Sequence, residues 1–265
     1  MNPTIALRMV GADFLKMRKK RGTLIWALVL AVAPLLIYFI VRGVQHSSSP
    51  AEHSPAGGIG GFEDAMPVLA VFFGPLAAIM IGTDAGAGDL AAGVFRDLVV
   101  TGRSRLALFA SRVPAAVGLC WLVVLVSYAV TLIGTYALAG GTPTPDGALA
   151  VNGLLFTLFA TGIVCVVAVG FSSLTGSRPA ALTVLIGWQL IASRILENIE
   201  SLGSSRKLIL SQAVAHFSPI GLGEHHGPRG GATVSMSTAT AVIVSLAWIV
   251  VFLALGAWRT RTMDA

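Results

Sequence analysis

Six apolar runs constrain this chain more than any other feature: Thr23–Val41, Ala65–Thr83, Leu106–Leu138, Ala150–Leu174, Pro179–Ile195 and Thr238–Trp258. About 20 apolar residues in a helix cross the roughly 30 Å hydrocarbon core of a bilayer. The fifth run is the shortest, and the third exceeds one crossing, which implies tilt or a first turn outside the core. A soluble fold is excluded by the want of charge. Only 11% of residues are Asp, Glu, Lys or Arg and 55% are hydrophobic, against about 25% charged in soluble domains. The expected fold is an all-α integral membrane protein with six transmembrane helices in one domain, residues 1–265. The basic N-terminal cluster runs into the first apolar run with no small-residue cleavage site, so that span is expected to stay.

The net charge of +6 would suit nucleic acid, but the basic residues flank the apolar runs, as membrane anchoring requires, so no nucleic-acid partner is expected. With the N-terminus inside, cytoplasmic segments hold 13 of the 18 Lys and Arg. That asymmetry places both termini in the cytoplasm of a multi-pass protein of the cell membrane. Residues 1–22 have apolar positions at helical spacing and end in Lys16, Arg18, Lys19, Lys20 and Arg21. They read as an amphipathic elbow helix in the cytoplasmic interface, the basic end meeting anionic headgroups; the alternative is a basic tail that only sets topology. Pro34 and Pro75 are candidate kinks or neutral.

Residues 43–64 are rich in Ser, Gly and Pro and hold no Lys or Arg, a flexible outer connection. Residues 196–236 read as an extracellular loop with short interfacial or re-entrant helices. The most unusual stretch is 84–112. It gathers Asp84, Asp89, Arg96, Asp97, Arg103, Arg105 and Arg112 with four glycines between two apolar runs, which reads as a shaped cytoplasmic loop over 84–107.

Catalytic chemistry is hard to find. There is no GxxxxGK[ST] and no HExxH, so no P-loop for ATP and no zinc-protease helix. Gly170-Phe171-Ser172-Ser173 offers a serine, but no histidine falls within an apolar run, so the nucleophile has no base. Cys120 and Cys165 lie in apolar runs without ligand spacing and read as packing residues. All five histidines fall in outer loops; Glu224-His225-His226 could contribute to a metal site or be ordinary solvated residues, and no metal or other cofactor is expected in this chain. The middles of the runs lack the acids that proton- or ion-coupled carriers use. Gln189, in the fifth run, either lines a pathway or hydrogen-bonds a neighbouring helix.

Asp89-Leu-Ala-Ala-Gly93, Leu98, Arg105 and Arg112 in the first cytoplasmic loop, and Ser218-Pro219 before the last run, resemble permease subunits of ATP-binding-cassette exporters of the type-2 class. The variant is similar to that of actinobacterial members. Asp stands at 89 where Glu is commoner in the family, and Arg at 112 where Lys is; both substitutions keep the charge. The resemblance implies a permease that is not itself an enzyme. It implies a coupling helix in the 84–107 loop that docks on a separate ATPase subunit through Asp89, Gly93, Phe95, Arg96, Leu98, Arg103 and Arg105, with Arg112 as an anchor at the membrane edge. Against docking stands the reading that Asp89, Arg96, Asp97 and Arg105 pair with one another or with the elbow. The resemblance further implies Mg-ATP at the partner and a homodimer, or a heterodimer with a second permease. The rivals are a non-transporting immunity or sensor protein on the same fold and, disfavoured by the missing acids, a proton-coupled carrier.

Overall fold

The computed structural model describes residues 3–93, 102, 104–220 and 235–262. Among these residues there is no strand, and six helices are long and apolar enough to cross a membrane. Helix α1 spans Pro3–Lys19 and α2 spans Arg21–Ser48. The second crossing is continuous from α3, Gly58–Pro67, through a π-helical turn, Val68–Phe73, into α4, Gly74–Ala91. Then come α5, Arg105–Ala137, and α6, Gly147–Thr175. The fifth crossing joins α7, Arg178–Gly187, through a second π-helical turn, Trp188–Ala192, to α8, Ser193–Asn198. A 3₁₀ segment, Glu200–Leu208, and α9, Leu210–Ala215, precede α10, Thr238–Thr262.

The helices outrun the apolar runs at most ends. The expected outer connection 43–64 shrinks to residues 49–57, because α2 continues to Ser48 and α3 begins at Gly58. Hydropathy marks the part of a helix that needs lipid, whereas backbone hydrogen bonding carries on into polar residues beyond it. The same holds for the expected loop 84–107, whose residues 84–91 continue α4. The helix ends at Gly93, which takes the left-handed conformation at φ +68° that glycine adopts without strain. Ser104 starts α5 by accepting a hydrogen bond from the Ala107 N–H at 3.2 Å.

Helix α4 is the centre of the bundle. Every residue from Gly74 to Asp89 except Met80 is buried, under α2, α5, α6 and α7. Its small residues permit this. A Cβ on Gly82 would stand 2.6 Å from the Cys165 carbonyl oxygen, and one on Gly256 of α10 would stand 2.8 Å from the Gly170 carbonyl oxygen. Lipid tails are as apolar as leucine side chains, so membrane helices associate by close backbone approach and not by a hydrophobic drive between them. Helix α2 shows the complement. Ala27, Ala31, Leu35 and Phe39 form its buried stripe, while Ile25, Trp26, Ile37 and Ile40 face outward.

Helix α1 is packed along α5. Met17 is buried, Val10 and Phe14 pack against the core, and Leu7 and Leu15 stay exposed. Its Asp13 accepts a hydrogen bond from Ser111 of α5 at 2.6 Å. Together α1, the end of α4, the start of α5 and the α6–α7 turn make one end of the bundle, here called the charged end.

Candidate functional site

Two acids at the end of α4 organise the charged end. Asp89 is buried and receives Lys16 Nζ at 2.8 and 2.7 Å and Arg112 Nη2 at 2.8 Å. Arg112 is itself buried and its Nη1 reaches the Gly86 carbonyl at 3.5 Å. Asp84, also buried, pairs with Lys20 Nζ at 3.0 Å and Arg178 Nη1 at 3.6 Å. Four elements therefore meet on one helix end: α1 through Lys16, the α1–α2 corner through Lys20, α5 through Arg112 and α7 through Arg178.

Local sequence explains how the charges fit. Gly86 and Gly88 leave room beside the carboxylates, and a Cβ on Gly88 would lie 2.8 Å from Lys20 Nζ. Ser173 of α6 donates to the Gly86 carbonyl at 3.3 Å. The lysines and Arg178 keep partial contact with water while their stems lie along the protein. The Asp89–Arg112 pair has no such outlet, with side chains 8% and 4% exposed. Its desolvation is offset by the short, hydrogen-bonded contact within the pair, and the half-exposed Lys16 adds a weaker second cation.

The expected site residues fall into three groups. Asp89 does not offer its carboxylate to a docking surface: that group is turned into the bundle and taken up by α1 and α5. Arg112, expected as an anchor at the membrane edge, is the buried partner of Asp89, because an unpaired acid there would cost more than burying the guanidinium beside it. Of the basic elbow end, Lys16 and Lys20 are spent on α4, while Arg18, Lys19 and Arg21 are exposed. Gly93 is exposed at the end of α4, and Arg105, half-buried, donates to the Arg261 carbonyl at 3.5 Å, linking the starts of α5 and the end of α10. Phe95, Arg96, Leu98 and Arg103 lie outside the described residues.

Gln189 sits in the π-helical turn of the fifth crossing and donates through Nε2 to the Val71 carbonyl at 3.1 Å, inside the π-helical turn of the second. Pro75, four residues after Val71, has no N–H to give that carbonyl in the ordinary helical pattern. Gln189 supplies the missing donor across the bundle. It also lines a cavity of about 210 Å³ walled by Trp188, Phe171, Trp248 and Phe252, with Ser211 as its other polar neighbour. Trp188 and Trp248 lie 5.8 Å apart by ring centroid, and Trp248 stacks on Phe252 at 5.4 Å. Pro34, by contrast, lies within an unbroken α2.

A functional-looking group that the sequence reading missed is Glu197, at the opposite end. It is 1% exposed. It pairs with Arg194 Nη1 at 3.2 Å and accepts a hydrogen bond from Ser211 of α9, while its backbone carbonyl takes Arg206 Nη1 at 3.2 Å. The Arg194 guanidinium lies 5.0 Å from the Phe72 ring centroid, within cation–π range. The available signal was an Arg and a Glu three residues apart at the end of an apolar run.

Compared with models of known protein families and with curated proteins, the chain matches none. Its functional reading therefore rests on its residues and their geometry. Among the described residues no three His, Cys, Asp or Glu side chains converge as metal ligands. His46 contacts the His53 carbonyl and His216 contacts Thr238; His225 and His226 lie outside the described residues.

Proposed function

We propose that this chain is the permease subunit of an ATP-driven exporter of the type-2 ATP-binding-cassette class, working with a separate ATPase and paired with a second permease. The observation that carries the reading is the convergence of Lys16 and Arg112 on Asp89, two residues before the end of α4. The segment between α4 and α5 is where the sequence resemblance puts the docking element. A push on that segment would reach α1 and α5 at once through the ion pairs, and α2 and α7 through Asp84. Export needs such a link, since ATP binding at one site must bias the two conformations of a pathway at another. Asp146, the N-cap of α6, is the only Asp, Glu, Lys or Arg in residues 113–177, and the want of charge within the apolar runs supports an energy source outside the spans. In this reading the charged end is cytoplasmic, Mg-ATP binds the partner, and the cargo is amphipathic or lipid-like.

Co-purification with an ATPase encoded beside this chain tests the assignment. Phe95→Ala and Arg96→Glu are expected to weaken assembly or uncouple ATP turnover from transport. Wild-type assembly and turnover in both variants would remove the docking assignment, and an immunity or sensor role would then account better for the fold. Orientation has its own test. Cys120 and Cys165 are buried, so a cysteine introduced at Ser48 is expected to react with an external thiol reagent while one at Ser104 stays protected.

A further inference from the structure

A groove of about 600 Å³ opens at the charged end, between the α1–α2 corner, the last turns of α4 and the first residue of α7. Lys20, Arg21 and Arg178 line it, against one carboxylate, Asp84. That carboxylate is already shared between Lys20 and Arg178. Arg178 Nη2 donates to Thr23 Oγ1 at 3.3 Å, and its Nε is buried without a hydrogen-bond partner. Arg21 is exposed, and no ion pair involving it occurs among the described residues. Three cations against one acid leave the groove with an excess of positive charge.

The groove's rim is of the opposite character. Trp26 forms part of the wall and is 62% exposed, with Ile25 and Val29 exposed beside it on α2. The cations thus sit where the lipid-facing side of the first crossing begins. A free anion would use the charges and leave the tryptophan idle. A ligand carrying an anionic head on an apolar tail would use both.

We propose that this groove binds the headgroup of an acidic phospholipid, with the phosphate against Arg21, Lys20 and Arg178 and the acyl chains along Trp26 and Ile25. The headgroup adds the negative charge that Asp84 alone does not supply. A zwitterionic headgroup brings its own cation into an already positive groove, so the site discriminates against it. This proposal stands apart from the export reading. It requires only that the charged end lies at a membrane surface, and lipid retention is measured without any ATPase.

The test is native mass spectrometry of the purified full chain equilibrated with equal amounts of phosphatidylglycerol and phosphatidylcholine. Wild type is expected to retain phosphatidylglycerol preferentially. Arg21→Ala is expected to cut that retention about fivefold, the order of one basic residue near an anionic surface. Arg178→Gln should lower it further, but this variant also touches Asp84; among the described residues Arg21 holds no ion pair, so its variant remains informative if the other misfolds. Trp26→Ala should weaken the lipid as well. Arg18→Ala with Lys19→Ala, exposed and outside the groove, is expected to change retention less than Arg21→Ala alone. Equal retention of the two lipids by wild type would overturn the proposal. So would a loss in the Arg18/Lys19 variant as large as in Arg21→Ala, which would make the binding diffuse. Millimolar inorganic phosphate should leave the lipid in place; if it displaces the lipid, the ligand is a free anion and the lipid assignment fails.

Discussion

Asp89 at one end of the bundle and Glu197 at the other are both carboxylates with almost no exposure, 6% and 1%. Their partners differ in a way that separates their roles. Asp89 is held by Lys16, 73 residues away, and by Arg112, 23 residues away. Glu197 is held by Arg194, three residues away, and by Ser211, 14 residues away. The first acid fastens separate crossings to one another; the second folds a short excursion back onto its own crossing. Disturbing Asp89 should therefore be felt through several helices, and disturbing Glu197 only locally.

The strongest way to break this comparison is Arg112→Ala, which strands Asp89 without its buried cation. Removing one member of a buried pair costs about 3–5 kcal/mol. A sharp fall in thermal stability in detergent is expected, with faster hydrogen exchange in α1, α4 and α5 together. The double variant Arg112→Ala with Asp89→Ala should recover part of the loss. A mild, local effect of Arg112→Ala would show that the charged end is not a shared fastening. Next in size is Glu197→Ala, which leaves Arg194 and Ser211 without their acceptor. A loss of about 1–3 kcal/mol is expected for such unsatisfied groups, with faster exchange confined to residues 199–217; spread into α4 or α5 would erase the contrast. The smallest effect belongs to Lys16→Ala. Its side chain is 39% exposed, and exposed pairs contribute about 0–1 kcal/mol. Stability should barely move, because Met17, Val10 and Phe14 still hold α1. A large loss would mean that α1 is attached by charge and not by packing.

The six crossings were legible because lipid demands long apolar helices and hydropathy reports that demand directly. The concentration of charge at 84–112 was legible too, but not its use. Asp84 and Asp89 read as loop residues because charge and glycine usually mark turns; here the glycines admit α4 between its neighbours and the acids are neutralised from elsewhere in the chain. The sequence leaves Asp89 open to docking or to pairing with the elbow, and Lys16 of α1 makes the second contact; the pairing of Asp89 with Arg112 has no local spacing to reveal it, so Arg112 reads only as an anchor at the membrane edge. Glu197 was missed because the fifth apolar run stops at Ile195 while the helix continues to Asn198. The π-helical turns carry no distinctive period, although Pro75 lies two residues beyond the first.

The bond from Gln189 to the Val71 carbonyl makes the tolerance of one position depend on another. While proline stands at 75, a leucine at 189 withdraws the donor that stands in for the missing N–H four residues after Val71. Were alanine at 75, the helix could supply its own N–H and the amide would become dispensable. Positions 75 and 189 should accordingly vary as a couple: proline tolerated where a hydrogen-bond donor faces it, and the donor free to drift once the proline is gone.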